Sequence, residues 1–207
     1  MLHLETVEPG AFSILKRLMA LPELQDFHLV GGTALSLMYG HRISVDLVLF
    51  SFKKFDNEII LNGISKAFGE SFNTRTTSHF GIFGFIDDVK IDIVRFPHPL
   101  IRPTLEIDGI RMYSPEEIIA MKVQAILGRG KKKDFWDIAE LLQHYTVKDF
   151  IDLHKEKYST QNLYITVPQA IIYFDDADVS ENPISLKGQS WKSVKKVIQD
   201  KVRQFLV

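Results

Sequence analysis

The sequence contains no cysteine, which excludes disulfide bonds and zinc sites with thiolate ligands. No apolar run reaches the roughly 18–20 residues that cross a bilayer, and the N-terminus lacks the basic-then-apolar pattern of a signal peptide. The formal net charge is −1, so no overall positive field attracts nucleic acid. We therefore expect a soluble, cytoplasmic protein with no membrane partner, which would need a local basic patch to bind nucleic acid.

The composition and the order of patterns predict an α+β protein. Apolar residues make up 45% and charged residues 25% of the 207 residues, which is typical of a folded globular chain. Helical and strand patterns alternate over 1–113, and helical patterns fill 114–207, so we predict one domain for each range. The predicted helices are 10–20, 34–39, 56–69, 115–128, 134–145, 147–157, 168–174 and 191–206; the strands are 27–30, 45–50, 71–76, 80–86 and 89–96, with a hairpin at 105–112.

Two aspartates stand in stretches that otherwise have the pattern of buried strands. Asp46 follows a polar turn after the helix that begins near Gly31-Gly32, and Asp92 lies among Ile91, Ile93 and Phe96. A buried carboxylate is costly without a partner, and a divalent cation is a common partner. Each aspartate alone is also compatible with a half-exposed surface position, so the pair is what points to a metal site.

The stretch 27–50 carries a resemblance to a known family. Gly31-Gly32-Thr33-Ala34 followed by His41-Arg42-Ile43-Ser44-Val45-Asp46 resembles the AbiEii/AbiGii toxins, a group of DNA polymerase-β-like nucleotidyltransferases. A second block, from Met121 to Asp137, resembles the Lys…Arg…Lys-Asp-x-x-Asp pattern of the same group. The resemblance implies a nucleotidyltransferase-like mixed sheet flanked by helices and followed by a C-terminal helical domain.

The resemblance also implies roles for individual residues. Asp46 and Asp92 would bind Mg²⁺ or Mn²⁺, and Asp92 would assist the acceptor hydroxyl. The loop Gly31-Gly32-Thr33 would hold the phosphates of the nucleotide at a helix N-terminus. The cleft would be completed by Lys122, Lys133 and Asp134. For Arg42 two interpretations stay open, namely contact with a phosphate or pairing with a nearby acid that fixes the loop; for Lys131–Lys133 and Asp134 the alternatives are a solvated basic loop and a helix N-cap.

One position departs from the family pattern. The family carries Asp-x-Asp in the first metal strand, and this chain has Val48 at the second aspartate position. Because residues 46 and 48 of a strand point to the same face, valine removes a metal ligand from the site. Three explanations are open: a degenerate transferase that still binds nucleotide or partner, a substitute acid such as Asp87 or Asp88, or an attenuated toxin.

The resemblance implies a metal-dependent transfer of a nucleotide from an NTP to RNA, with tRNA first, or to another acceptor. The chain would then be the toxin of a toxin–antitoxin or phage-defence pair, with a cognate antitoxin as partner. The alternative is a catalytically silent member that binds nucleotide or antitoxin, which Val48 favours. Transfer to a small molecule or a protein is a third possibility. The sequence does not identify the nucleotide or the acceptor.

Overall fold

The computed structural model describes all residues from Met1 to Val207. Seven strands form one mixed sheet in the order β3-β4-β5-β2-β1-β7-β6. The strands are β1 His28–Leu29, β2 Leu47–Ser51, β3 Phe72–Ser78, β4 Gly81–Ile86, β5 Val89–Arg95, β6 Leu105–Ile107 and β7 Ile110–Met112. The helices are α1 Pro9–Met19, α2 Gly31–Tyr39, α3 Asn57–Phe68, α4 Pro115–Arg129, α5 Lys132–Leu141, α6 Val147–Lys157, α7 Val167–Ile171, α8 Asp175–Asp178 and α9 Trp191–Leu206, with short 3-10 turns at Leu4–Thr6, Pro22–Leu24 and Gly69–Ser71.

The predicted fold class is confirmed, and the differences are local. β2 begins at Leu47, so Asp46 lies just before the strand rather than inside it. Helix α5 begins at Lys132 with Lys131 as N-cap, and Asp134 occupies the third helical position rather than the cap. The short helix α8 lies in a segment for which the sequence predicted only polar character.

The centre of the sheet places residues 48 and 92 side by side. β2 and β5 are parallel neighbours, with Val48 opposite Asp92. Side chains alternate between faces along a strand, so Leu49 and Ile93 point into the core and are buried, whereas Val48 and Asp92 lie half-buried on the other face. The register therefore places Asp92, the candidate metal ligand of β5, directly beside Val48, the residue that departs from the family pattern.

The core runs through both halves of the sequence. A single cluster of 49 buried apolar residues includes members of the sheet and of the helices from α4 to α9. Helix α2 packs against both α4 and α5. The division into domains 1–113 and 114–207 stays a prediction. No helix is long and apolar enough to cross a membrane.

A buried ion pair connects α4 and α6 with the proline-containing loop after β5. Lys157 Nζ lies 2.5 Å from Glu117 Oε2, and both side chains are fully buried. The other Glu117 oxygen accepts hydrogen bonds from the backbone N–H groups of Ile101 and Arg102, and Lys157 also donates to the Pro99 carbonyl. The Ser114 side chain caps α4 by accepting a hydrogen bond from the backbone N–H of Glu117, while the Glu117 carboxylate bonds to Lys157 and the loop.

We expect Lys157→Met to lower the free energy of unfolding by about 3–5 kcal/mol, because the Glu117 carboxylate is then left buried without its cation. The double variant Glu117→Gln, Lys157→Met is expected to recover part of that loss, since no charge then stays buried. Urea titration followed by circular dichroism measures both. Equal stability of Lys157→Met and the unmodified chain would show that the Lys157–Glu117 ion pair does not stabilise the packing of α4, α6 and the loop after β5.

Candidate active site

The Asp137 carboxylate is the centre of a buried polar cluster next to the sheet. Asp137 on α5 is completely buried. One carboxylate oxygen lies 2.7 Å from both His41 Nε2 and Arg42 Nε. The other lies 3.0 Å from Arg42 Nη2 and 2.6 Å from Lys122 Nζ on α4. One acid thereby binds the loop between α2 and β2 to two helices that lie about a hundred residues later.

The charges in this cluster stabilise one another. Burial alone would raise the pKa of Asp137, but the charges of Arg42 and Lys122 and the hydrogen bonds from His41 and Arg42 hold that pKa well below its ordinary 3.8. Burial opposes the charge of Lys122, yet Asp134 and Asp137 raise the pKa of Lys122 above its ordinary value. Arg42 behaves in the same way, with its pKa raised by Asp137 against the effect of burial. Asp137, Arg42 and Lys122 are therefore all charged at neutral pH.

The two positions at the start of α2, 31 and 32, require glycine for different structural reasons. Gly31 has φ +72°, a left-handed conformation that side chains rarely adopt. Gly32 lies against the Arg42 guanidinium, where a Cβ atom would approach Nη2 to 2.0 Å. Gly32 is therefore needed to let Arg42 reach Asp137. The sequence left two interpretations of Arg42 open, contact with a phosphate and pairing with a nearby acid. In the structure Arg42 is paired with Asp137.

Thr33 and Lys133 position the first candidate metal carboxylate. The buried Thr33 hydroxyl donates to the backbone carbonyl of Asp46 and lies 2.9 Å from Ser44 Oγ. The Asp46 side chain itself is about one-third exposed, and its carboxylate lies 3.3 Å from Lys133 Nζ. Thr33 therefore fixes the backbone of Asp46, and Lys133 partly neutralises its charge.

Asp92, the second candidate metal carboxylate, has one paired and one unpaired oxygen. Its Oδ2 accepts a hydrogen bond from Lys90 Nζ at 2.6 Å. Its Oδ1 is buried and has no hydrogen-bond partner. An unpaired buried carboxylate oxygen is costly unless something else satisfies it. Beside it in the register stands Val48, which contributes no oxygen.

These residues fit a single cation that arrives with its nucleotide. Mg²⁺ at nucleotide sites is commonly held by one or two carboxylates together with substrate phosphates, and Asp46 and Asp92 provide two. No three side chains from His, Asp and Glu come together as a metal site. Asp87 lies in the β4–β5 turn with φ 49°, and neither it nor Asp88 replaces the acid missing at Val48.

A cleft of about 540 Å³ opens beside Asp46. Its lining includes three of the predicted site residues, Arg42, Asp46 and Lys133. Lys122 and Asp134 are bonded to each other behind it, 2.8 Å apart, and are largely buried. The rest of the lining is the turn at 43–45, Lys131 and the segment 179–184. The cleft thus combines cations, the two carboxylates of Asp46 and Glu181, and apolar groups.

A comparison with known families settles the identity of the fold. The description "Nucleotidyl transferase AbiEii toxin, Type IV TA system" belongs to a family whose pattern matches residues 13–202. The chain belongs to the AbiEii nucleotidyltransferase toxin family. This confirms the resemblance carried by Gly31–Asp46 and by the second block at 121–137.

Known proteins resemble this AbiEii chain in sequence or in fold over most of its length. An uncharacterised protein of Aquifex aeolicus is 32% identical over 200 residues, which are 93% of this chain and 94% of that protein. The fold resembles the Helicobacter pylori protein JHP933 (TM-score 0.60, 20% identity, 96% of this chain and 92% of that one). It also resembles MenT4, a nucleotidyltransferase toxin of Mycobacterium tuberculosis (TM-score 0.58, 13% identity, 90% and 80%).

Sequence reasoning missed two parts of this AbiEii site. It noted Asp137 only for its spacing from Asp134, although a carboxylate between Trp136 and Ile138 in an apolar helix was a signal of a buried ionic partner. It assigned no site role to the segment 179–186. That segment has no periodicity, and its contacts join residues about 140 positions apart, so no local pattern marks it.

We expect Asp137→Asn to lower the free energy of unfolding by about 3–5 kcal/mol, because Arg42 and Lys122 then lose the charge that holds them. The folded pKa of Asp137 is depressed, so its stabilisation is full above the ordinary value of 3.8 and is lost as the pH falls below it. The unfolding free energy of the variant should therefore fall less steeply on acidification. Asp152→Asn, at an exposed aspartate of α6, is the control and should change little.

We expect Gly32→Ala to destabilise the chain by roughly 1–3 kcal/mol, because the new methyl group collides with the Arg42 guanidinium. Gly128→Ala is the matched control, since a Cβ at that glycine of α4 meets nothing within 4 Å. It should be neutral or slightly stabilising. Thermal unfolding of both variants tests the pair, and equal melting temperatures would contradict the close packing of Gly32 on Arg42.

Proposed function

We propose that this AbiEii chain transfers a nucleotidyl group from an NTP to the hydroxyl of an RNA, with tRNA as the first candidate acceptor. The observation that carries the proposal is the placement of Asp46 and Asp92. Asp46 directly precedes β2, two residues before Val48, and Val48 is the register partner of Asp92. Asp46 lines a cleft that also contains Arg42, Lys131 and Lys133, and Asp92 lies on the strand next to β2.

The nucleotide phosphates bind between the start of α2 and the basic loop. Helix α2 has no acidic residue in its first turn, and its N-terminal N–H groups, at Gly31, Gly32 and Thr33, favour an anion. Lys131 and Lys133 line the cleft beside Asp46 and supply positive charge. Arg42 contributes by holding the loop before Asp46, through its bonds to Asp137.

Asp46 and Asp92 would hold a divalent cation, Mg²⁺ or Mn²⁺, which would neutralise phosphate charge and lower the pKa of the attacking hydroxyl. The acceptor oxygen forms a bond to the α-phosphorus, the bond from that phosphorus to the pyrophosphate breaks, and pyrophosphate leaves. The Asp92 carboxylate takes the proton of the acceptor hydroxyl. Lys122 and Asp134 support the site from behind through their mutual bond and the bond of Lys122 to Asp137.

RNA as the acceptor class is supported by the local charge at the mouth of the cleft. Arg129, Lys131 and Lys133 are exposed within five residues of one another, although the chain as a whole carries a net charge of only −1. A local basic patch of this kind binds the phosphate backbone without reading its sequence. As a toxin of this family the chain also has an antitoxin as its partner in a type IV system.

A second function, a silent nucleotide- or antitoxin-binding member, is favoured by Val48. Valine removes one carboxylate from the metal site, and each remaining acid is paired with a lysine, Asp46 with Lys133 and Asp92 with Lys90. A site with two neutralised carboxylates has less negative charge to offer a cation. Binding of nucleotide without transfer is the property that separates this function from the first.

The deciding experiment is the transfer of label from each α-³²P NTP to total tRNA with Mg²⁺, for the unmodified chain, Asp46→Asn and Val48→Asp. We expect the unmodified chain to label RNA and Asp46→Asn to lose labelling. We expect Val48→Asp to raise the rate by on the order of a hundredfold, because a missing charge-stabilising group is restored.

Three outcomes are distinguishable. Labelling by the unmodified chain that Asp46→Asn abolishes supports the two-carboxylate site. Labelling only by Val48→Asp supports the silent member, with an intact cleft. Absence of labelling by all three proteins, with folding verified by circular dichroism, overturns RNA as the acceptor.

A further inference from the structure

The segment 179–186, which we call the strap, crosses the front of the candidate active site. Near its start, Ser180 Oγ accepts a hydrogen bond of 2.9 Å from the backbone N–H of Lys132 at the start of α5. Near its end, the Ile184 carbonyl accepts one of 2.9 Å from Ile43, and the Leu186 N–H donates one of 3.0 Å to the His41 carbonyl. The strap is therefore anchored on both sides of the cleft.

The anchored ends leave a short unsupported span over the cleft. Arg42 and Ser185 form an isolated antiparallel bridge, so the end of the strap runs alongside the loop that leads to Asp46. Between the anchors, Pro183 restricts the backbone because its ring fixes φ. All residues from Val179 to Ile184 line the cleft. A wall of defined backbone geometry thus faces the residues that hold the phosphates in the proposed function.

Three exposed apolar side chains line the cleft, although binding of phosphate requires only its charged and polar groups. Val179 is 91% and Ile184 is 67% exposed on the strap, and Val45 is 50% exposed on the turn below. All three line the same cleft. Isolated exposed apolar residues are ordinary, but three around one polar cleft provide apolar area for a ligand.

The strap also differs in charge from the basic loop on which Ser180 anchors it. Lys131 and Lys133 supply positive charge to the cleft, whereas Glu181 is the only charged residue of the strap. A carboxylate repels phosphate, and Asn182 beside it offers an amide donor and an amide acceptor. The cleft therefore offers positive charge at Lys131 and Lys133 and, along the strap, apolar area with amide hydrogen-bonding groups.

We propose that the strap binds the base of the NTP, with the base packed on Ile184 and Val179 and its edge read by Asn182. A nucleobase has apolar faces and a hydrogen-bonding edge, which match this wall. The proposal rests on the proposed function, because the phosphates are assigned to the basic residues Lys131 and Lys133 of the same cleft. The strap then sets which nucleotide is bound, independently of whether the chain turns it over.

Direct binding separates this proposal from the transfer reaction. The affinities of the four NTPs and of inorganic tripolyphosphate are measured with Mg²⁺ by equilibrium dialysis, for the unmodified chain, Ile184→Asn, Asn182→Ala and Lys133→Ala. Leu186→Asn is the matched control, since Leu186 lies on the same strap and is 41% exposed but does not line the cleft. Circular dichroism verifies the fold of each variant.

We expect Ile184→Asn to weaken NTP binding by roughly tenfold, the usual effect of a lost apolar contact, and to leave tripolyphosphate binding unchanged. Asn182→Ala should reduce the differences among the four NTPs, and Leu186→Asn should change nothing. Lys133→Ala should weaken NTP and tripolyphosphate alike.

Two results overturn the proposal in different ways. Tight NTP binding that is insensitive to Ile184→Asn and Asn182→Ala places the base away from the strap and leaves the proposed function intact. Absence of binding for both NTP and tripolyphosphate overturns the proposed function and the strap assignment together. NTP binding that only Ile184→Asn weakens supports the apolar wall and overturns the role of Asn182.

Discussion

The site depends on the burial of one carboxylate. Asp137 has no exposed surface, and its two oxygens are bonded to His41, Arg42 and Lys122. A buried charge is tolerated only when its partners are held in place, so the loop before β2 and helices α4 and α5 must keep a fixed arrangement. That arrangement determines where Asp46 and Lys133 stand. The main effect of the ionic cluster is thus to fix the relative positions of the loop before β2, α4 and α5.

The candidate metal site depends on the register between two strands. Because Val48 and Asp92 are direct partners of β2 and β5, an acid at position 48 would lie beside Asp92. Asp92 Oδ1 is buried without a hydrogen-bond partner, and no acid from the β4–β5 turn takes the place of the one missing at Val48. The glycines of α2, Thr33 and the Asp137 cluster are all present in this chain.

The fold and part of the site were predictable from sequence for local reasons. Gly31-Gly32 and Asp46 lie within sixteen residues, and Ser114 caps α4 through residues three positions apart. Alternation along the strand also predicted that positions 46 and 48 share a strand face, but β2 begins at Leu47 and Asp46 precedes it. The partners of Asp137 and the strap depend on contacts between distant segments, such as Ile43 with Ile184. Periodicity and spacing do not encode such contacts, so the structure was needed to find them.

The two candidate metal ligands differ in how readily they release their lysines. The Asp46–Lys133 pair is 3.3 Å long, with side chains 36% and 49% exposed, so water screens it and its disruption costs less than about 1 kcal/mol. The Asp92–Lys90 pair is shorter, at 2.6 Å, and the Asp92 side chain is only 16% exposed. Lys133 can therefore move from Asp46 to an incoming phosphate at little cost. Asp92 gives up Lys90 less easily, because water screens this shorter and less exposed pair less.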